Sequence, residues 1–193
     1  MSLNKQSVTL LELVISLAIL GILVLSFTSI DLFSRFHVIS ADRRAKIQNE
    51  ASNAIEHMAK QISRGVGTVA TVPVIINTPP TGDRIKVRTD QNLNGIIDDN
   101  TATCFISYRF NAATNQIVFF PQYSIAGWSN APANEQVAAQ IVACAFTYNA
   151  ANDFVTVDLT ACWNPLSPLT CGNPDNPSVQ IRTNIKMPGV SIN

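Results

Sequence analysis

Val8-Thr9-Leu10-Leu11-Glu12-Leu13-Val14-Ile15-Ser16-Leu17-Ala18-Ile19-Leu20-Gly21-Ile22-Leu23-Val24-Leu25-Ser26-Phe27-Thr28-Ser29-Ile30 is a run of 23 residues with one charged side chain, Glu12. At a rise of about 1.5 Å per residue, a helix of this length crosses the roughly 30 Å hydrocarbon core of a bilayer. The rival reading is a secretory signal peptide, but its apolar region runs about 7 to 15 residues and ends in a small-residue cleavage site. No clear site follows this run. A carboxylate inside an apolar span costs on the order of 2.5 to 3.5 kcal/mol at the helix centre and less toward the headgroups. Glu12 therefore calls for a partner or a function, unless it simply lies at the headgroup level.

Around this run the composition is sparing in charge. The chain has 193 residues and 20.9 kDa, enough for one anchored domain, and 13% charged residues against about 25% in an average globular protein. Thirteen basic and thirteen acidic side chains cancel, and Arg43-Arg44 is the longest run of uninterrupted basic charge. The balance gives no support to a nucleic-acid partner. All ten prolines lie at position 73 or later, and the first 64 residues hold one glycine, Gly21. Helix is thus expected to continue through residues 31–65 and stop near Gly65-Val66-Gly67. Within it Ile47, Ala51, Ala54, Ile55, Met58 and Ile62 recur at three- and four-residue spacing and form one apolar face.

Residues 66–193 read as short strands. Ile85 to Arg88 alternates, Cys104 to Phe110 and Gln116 to Phe120 flank the turn NAATN, Ala143 to Tyr148 faces Phe154 to Leu159 across NAAND, and Val179 to Lys186 follows. Local connections imply an antiparallel sheet with the helix on one face, an α+β fold. The aromatic residues, Phe119, Phe120, Tyr123 and Trp128 among them, suit a sheet core better than a ligand platform, while Trp128 and Trp163 sit in loop-like surroundings.

Ser7-Val8-Thr9-Leu10-Leu11-Glu12-Leu13 resembles the cleavage and methylation motif of type IV pilins and type II secretion pseudopilins. The resemblance implies a leader of residues 1–7, a cut by prepilin peptidase between Ser7 and Val8, methylation of the new terminus at Val8, and an assembly helix over 8–30. Glu12 falls where the family has its glutamate, and Gly21 where many members have glycine. Ser7 replaces the usual glycine before the cut, and Ser29 stands where many major pilins carry a kinking proline. The tract RAKIQNEASNAIEHMAKQISRG with the following YRF hairpin is most similar to J-type pseudopilins and W-type minor pilins. The implied partners are other pilins or pseudopilins, the peptidase and the bacterial inner membrane, with the C-terminal domain periplasmic until it enters a filament.

A physical role for Glu12 follows from geometry. Its carboxylate lies one helical turn from the α-amino group that cleavage would create at Val8, so in a bundle each carboxylate can meet a neighbour's ammonium and fix axial register. The rival from another class is a membrane-tethered calcium- or carbohydrate-binding module that never polymerises.

Asp90, Asn92, Asn94, Ile96 and Asp98 occupy ligand positions one, three, five, seven and nine of an EF-hand-type loop, with Gly95 at the sixth. The closing glutamate is replaced by Thr101. Calcium binding and a bare Asx-rich turn both fit these residues. Four cysteines, Cys104, Cys144, Cys162 and Cys171, lie on the exported side and allow three pairings. Cys162 with Cys171 and Cys104 with Cys144 are the favoured pairs, against free buried thiols. No C-x-x-C pair suggests zinc. His37 and His57 lack partners for catalysis in the sequence, and no nucleophile-elbow, H-E-x-x-H or phosphate-loop spacing occurs. The expectation is a non-enzyme.

Overall fold

The computed structural model describes residues 9–67, 72–78, 81–90, 105–123, 135–187 and 189–190. The chain divides into two units, residues 1–42 and 43–193. One helix, α1 (Leu10–Ile62), contributes residues to both.

In the first unit α1 is apolar and solvent-facing: every described side chain from Thr9 to Ile39 is exposed. The hydroxyls in this stretch satisfy themselves locally. Ser16 Oγ donates to the Glu12 carbonyl at 2.8 Å, Ser26 to Ile22 at 2.8 Å, and Ser29 to Leu25 at 2.8 Å. Such back-bonding lets a polar residue sit in an apolar helix without an orphaned donor. At its far end Asp31 and Arg35 form an exposed i,i+4 ion pair of 2.9 Å, which contributes little stability.

In the second unit the helix carries the stripe read from the sequence. Ile47, Ala51, Ala54, Met58 and Ile62 are fully buried, and Ile55 packs at the cluster's margin. They share one core with residues from two sheets. The five-stranded sheet has the order β2-β4-β5-β6-β7, with β2 Val74–Ile76, β4 Arg84–Arg88, β5 Phe105–Asn111, β6 Gln116–Tyr123 and β7 Glu135–Ala138. The four-stranded sheet runs β10-β9-β8-β3, with β3 Thr81–Gly82, β8 Ile141–Asn149, β9 Phe154–Cys162 and β10 Ser178–Lys186. Both are antiparallel, and a short parallel pair joins β1 (Val66–Gly67) to β11 (Gly189–Val190). The α+β class read from the sequence holds.

The expected single sheet is corrected to two antiparallel sheets and that parallel pair. The division falls at Ala139-Gln140, the two residues between β7 and β8. Gln140 has φ of 58°, and β8 leaves this turn to pair with β9 rather than with β6 or β7. The hairpins around NAATN and NAAND form as read; each turn ends in a left-handed residue, Asn115 (φ 54°) and Asp153 (φ 50°), types that tolerate this conformation.

Helix α1 ends where the glycine predicts. The Gly65 amide donates to the Ile62 carbonyl at 2.9 Å. A Cβ on Gly65 would lie 2.7 Å from Met187 Sδ and 3.0 Å from Val87 Cγ1, so the chain leaves the helix through a gap only glycine fits. The alternation of β4 also holds, but its polar face is not open to water. Lys86 and Arg88 are buried, with Phe105, Val118 and Phe120 in a second apolar cluster and Arg88 Cζ 4.8 Å from the Phe105 ring centre.

Candidate functional site

The N-terminal residues of α1 form a closed polar knot at the head of an apolar rod. Thr9 Oγ1 accepts from the Glu12 amide at 3.3 Å, and Glu12 Oε2 accepts from the Thr9 amide at 3.0 Å. The Thr9 hydroxyl also donates to Glu12 Oε2 at 3.1 Å. This is a capping box: two backbone donors that a helix start leaves unmatched are satisfied reciprocally. An acid in the first turn also suits the positive end of the helix dipole. The signal is present in the sequence as Thr9-Leu10-Leu11-Glu12, a threonine and a glutamate three apart ahead of an apolar run. In the isolated chain Glu12 has an intramolecular occupation.

Below this knot the helix presents Leu10, Leu11, Leu13, Val14 and their successors through Ile39 without burial. This is the one described helix long and apolar enough to cross a membrane. Exposed apolar surface on this scale marks a membrane or subunit contact.

Residues 3–28 match a family model, the prokaryotic N-terminal methylation motif. No curated protein and no solved structure matches the chain. The match spans the capping box and most of the apolar run, so the chain carries a type IV pilin-like N-terminus. Proteins bearing the motif assemble with other pilins and are processed by prepilin peptidase, and the apolar helix is compatible with a single-pass anchor in the inner membrane. Ser7 and Val8, the expected cleavage and methylation pair, lie outside the described residues.

The remaining candidates separate. Of the expected calcium loop only Asp90 is described; Asn92, Asn94, Ile96 and Asp98 lie outside the described residues. Among the described residues no group of three or more His, Cys, Asp or Glu side chains comes together to hold a metal. Cys162 and Cys171 form a disulfide with Cα atoms 5.7 Å apart. Cys144 is a correction: it is a buried free thiol on β8, so the expected bridge to Cys104 does not form at this end, and Cys104 lies outside the described residues. Its side chain packs in the main core among apolar neighbours. Burial first, then Asp158 and Asp83, push its pKa up to about 12, which makes it inert at neutral pH.

His57 has a partner the sequence did not show. Its Nδ1 lies 3.0 Å from the hydroxyl of buried Tyr108, and its ring packs edge-on to Phe119 at 5.0 Å, pinning α1 to β5 and β6. Burial, with Glu135 second, holds the Tyr108 hydroxyl well above the usual phenol range. His37 packs on Phe33 with ring centres 4.3 Å apart. Trp163, half-buried, packs against the main core with the Arg43 and Lys46 cations about 6 Å from its ring. Trp128 lies outside the described residues.

Sequence reasoning also missed Asn176, which is 1% exposed. Its Oδ1 accepts from the Asn164 amide at 2.8 Å, and its Nδ2 donates to the carbonyls of Asn164 at 3.1 Å and Leu169 at 2.9 Å. The loop closed by the disulfide is thus built around one amide.

Proposed function

We propose that the chain is a minor pilin or pseudopilin, a structural subunit that helps to assemble or prime a type IV pilus or a type II secretion pseudopilus. The observation that carries this is the methylation-motif match over residues 3–28, set on a helix whose apolar side chains from Leu10 to Ile39 are all exposed. In this reading residues 1–7 are cytoplasmic and are removed after Ser7, Val8 is methylated, and residues 66–193 stand in the periplasm before entering a filament. The Cys162–Cys171 disulfide supports an exported domain, because such bridges persist in oxidising compartments. Similarity to J-type or W-type subunits belongs to the same proposal.

The mechanism is packing and register. Apolar helices cohere in the filament core. Cleavage exposes an ammonium at Val8 beside the Thr9–Glu12 knot, and Glu12 exchanges its self-capping bonds for a neighbour's ammonium. Losing one partner of a buried pair costs about 3 to 5 kcal/mol in soluble proteins, enough to prevent assembly. Calcium at Asp90 to Asp98 would order a loop and take no part in this mechanism.

A mass spectrum of the native amino terminus tests the reading. N-methylated Val8 is expected, whereas an intact Met1 in mature material sinks it and favours a tethered module that never polymerises. Glu12→Leu is expected to insert in the membrane but not enter filaments; normal incorporation would remove Glu12 from the mechanism.

A further inference from the structure

Three turns of the second unit meet around a pocket of about 390 Å³, within the roughly 300 to 1,000 Å³ range of small-molecule sites. Thr114 and Asn115 come from the β5–β6 turn, Gln140 from the β7–β8 turn, and Trp163, Asn164 and Leu166 from the start of the disulfide-closed loop. No lining side chain is charged.

The walls are fixed by bonds outside the pocket. Ile141 donates its amide to the Asn115 carbonyl at 3.0 Å, Cys162 to the Gln140 carbonyl at 2.8 Å, and Ala139 to Glu50 Oε1 at 2.6 Å. Asn176 holds the Asn164 backbone from behind. Asn115 and Gln140 are half-buried, both with left-handed backbones, and their side-chain amides have no hydrogen-bond partner among the described residues. A left-handed glutamine is costly and persists only where its surroundings enforce it.

We infer that this pocket binds a neutral carbohydrate, with the Trp163 indole against a sugar face and the Asn115 and Gln140 amides bonding to adjacent hydroxyls. An amide offers a donor and an acceptor side by side, which matches a pair of hydroxyls. The lining holds no carboxylate, which disfavours metal ions. An aromatic platform beside a few convergent polar groups is the chemistry that orients a ligand of this kind. The inference stands apart from the assembly reading, since it uses residues from 114 onward and requires no filament.

The left-handed residues supply the test. Gln140→Gly and Asn115→Gly remove the amides while relieving the backbone, so each variant should melt at or above the wild-type temperature. The full chain, in a detergent without a sugar headgroup, is titrated with neutral disaccharides of glucose, galactose and N-acetylglucosamine. Saturation-transfer NMR and indole fluorescence are the readouts. Wild type should show transfer to the sugar ring protons with a change in indole emission, and each glycine variant should bind at least tenfold more weakly. No transfer from any of these sugars, undiminished binding in both folded variants, or binding confined to acidic sugars would overturn the assignment.

Discussion

Cys144 shows how a single side chain couples the core to pH. Unfolded, its thiol ionises from about 9.0; folded, it keeps its proton to about 12. A raised folded pKa gives stability that is complete below the unfolded value and lost as pH rises through the folded one, here between about 9 and 12. A gap of that size corresponds to about 4 kcal/mol at its fullest extent. Melting temperature should therefore fall steeply across this alkaline window, and Cys144→Ala should flatten the fall while slightly lowering the neutral value. An unchanged slope would place the alkaline sensitivity elsewhere, with Tyr108, whose hydroxyl burial also holds protonated, the next group to replace. Gly65 works through space instead. Gly65→Ala drives a methyl toward Met187, Val87 and the Ile62 carbonyl, and overpacking of this kind costs about 1 to 3 kcal/mol. A melting temperature equal to wild type would mean that the helix exit can widen.

Among the elements, the disulfide-closed loop depends on Asn176 more than its composition suggests. Asn176→Ala strips partners from the Asn164 amide and from two carbonyls, and should lower stability by about 2 to 3 kcal/mol in denaturant unfolding. Asn176→Asp keeps only the acceptor and should fall between the two. Nothing in the local sequence marks Asn176, because Asn, Pro and Asp crowd 173–177 as they crowd any turn. The helix was legible for the opposite reason: Ile47, Ala51, Ala54, Met58 and Ile62 repeat at the period of the helix, and burying them is what the repeat encodes. The two hairpins were legible through alternation and through turns ending in Asn115 and Asp153. Strands such as β2, β3 and β7 are two to four residues long and owe their existence to distant partners, which no local period records. The partition into two sheets was hidden for the same reason, since it turns on the backbone of one residue, Gln140. At the N-terminus the Thr9–Glu12 capping box could be read from spacing alone, whereas the free state of Cys144 could not, because four cysteines fit paired and unpaired arrangements alike.

At the scale of the whole molecule, folding and assembly draw on separate residues. Among the described residues every core side chain lies at Ile47 or beyond, while the side chains from Thr9 to Ile39 bury nothing within the chain. The hydrophobic energy of Leu10 to Ile30 is therefore uncommitted in the monomer, and a membrane or neighbouring helices must absorb it. Changes there should abolish assembly without touching the fold. Gly21 makes the separation measurable, because a Cβ placed on it meets no atom within 4 Å in this chain. Gly21→Ala should raise intrinsic helix stability by up to about 1 kcal/mol, and it leaves the core unaltered. If neighbouring helices approach at this glycine, Gly21→Leu should lose filament incorporation while its globular melting transition stays at the wild-type temperature. Removal of residues 1–30 extends the argument. The fragment 31–193 keeps every side chain that is buried among the described residues, so it should unfold at the temperature of the parent. A fragment that melts well below the parent would show that the apolar run contributes to the fold after all, and the division between an assembling helix and a self-sufficient domain would have to be redrawn.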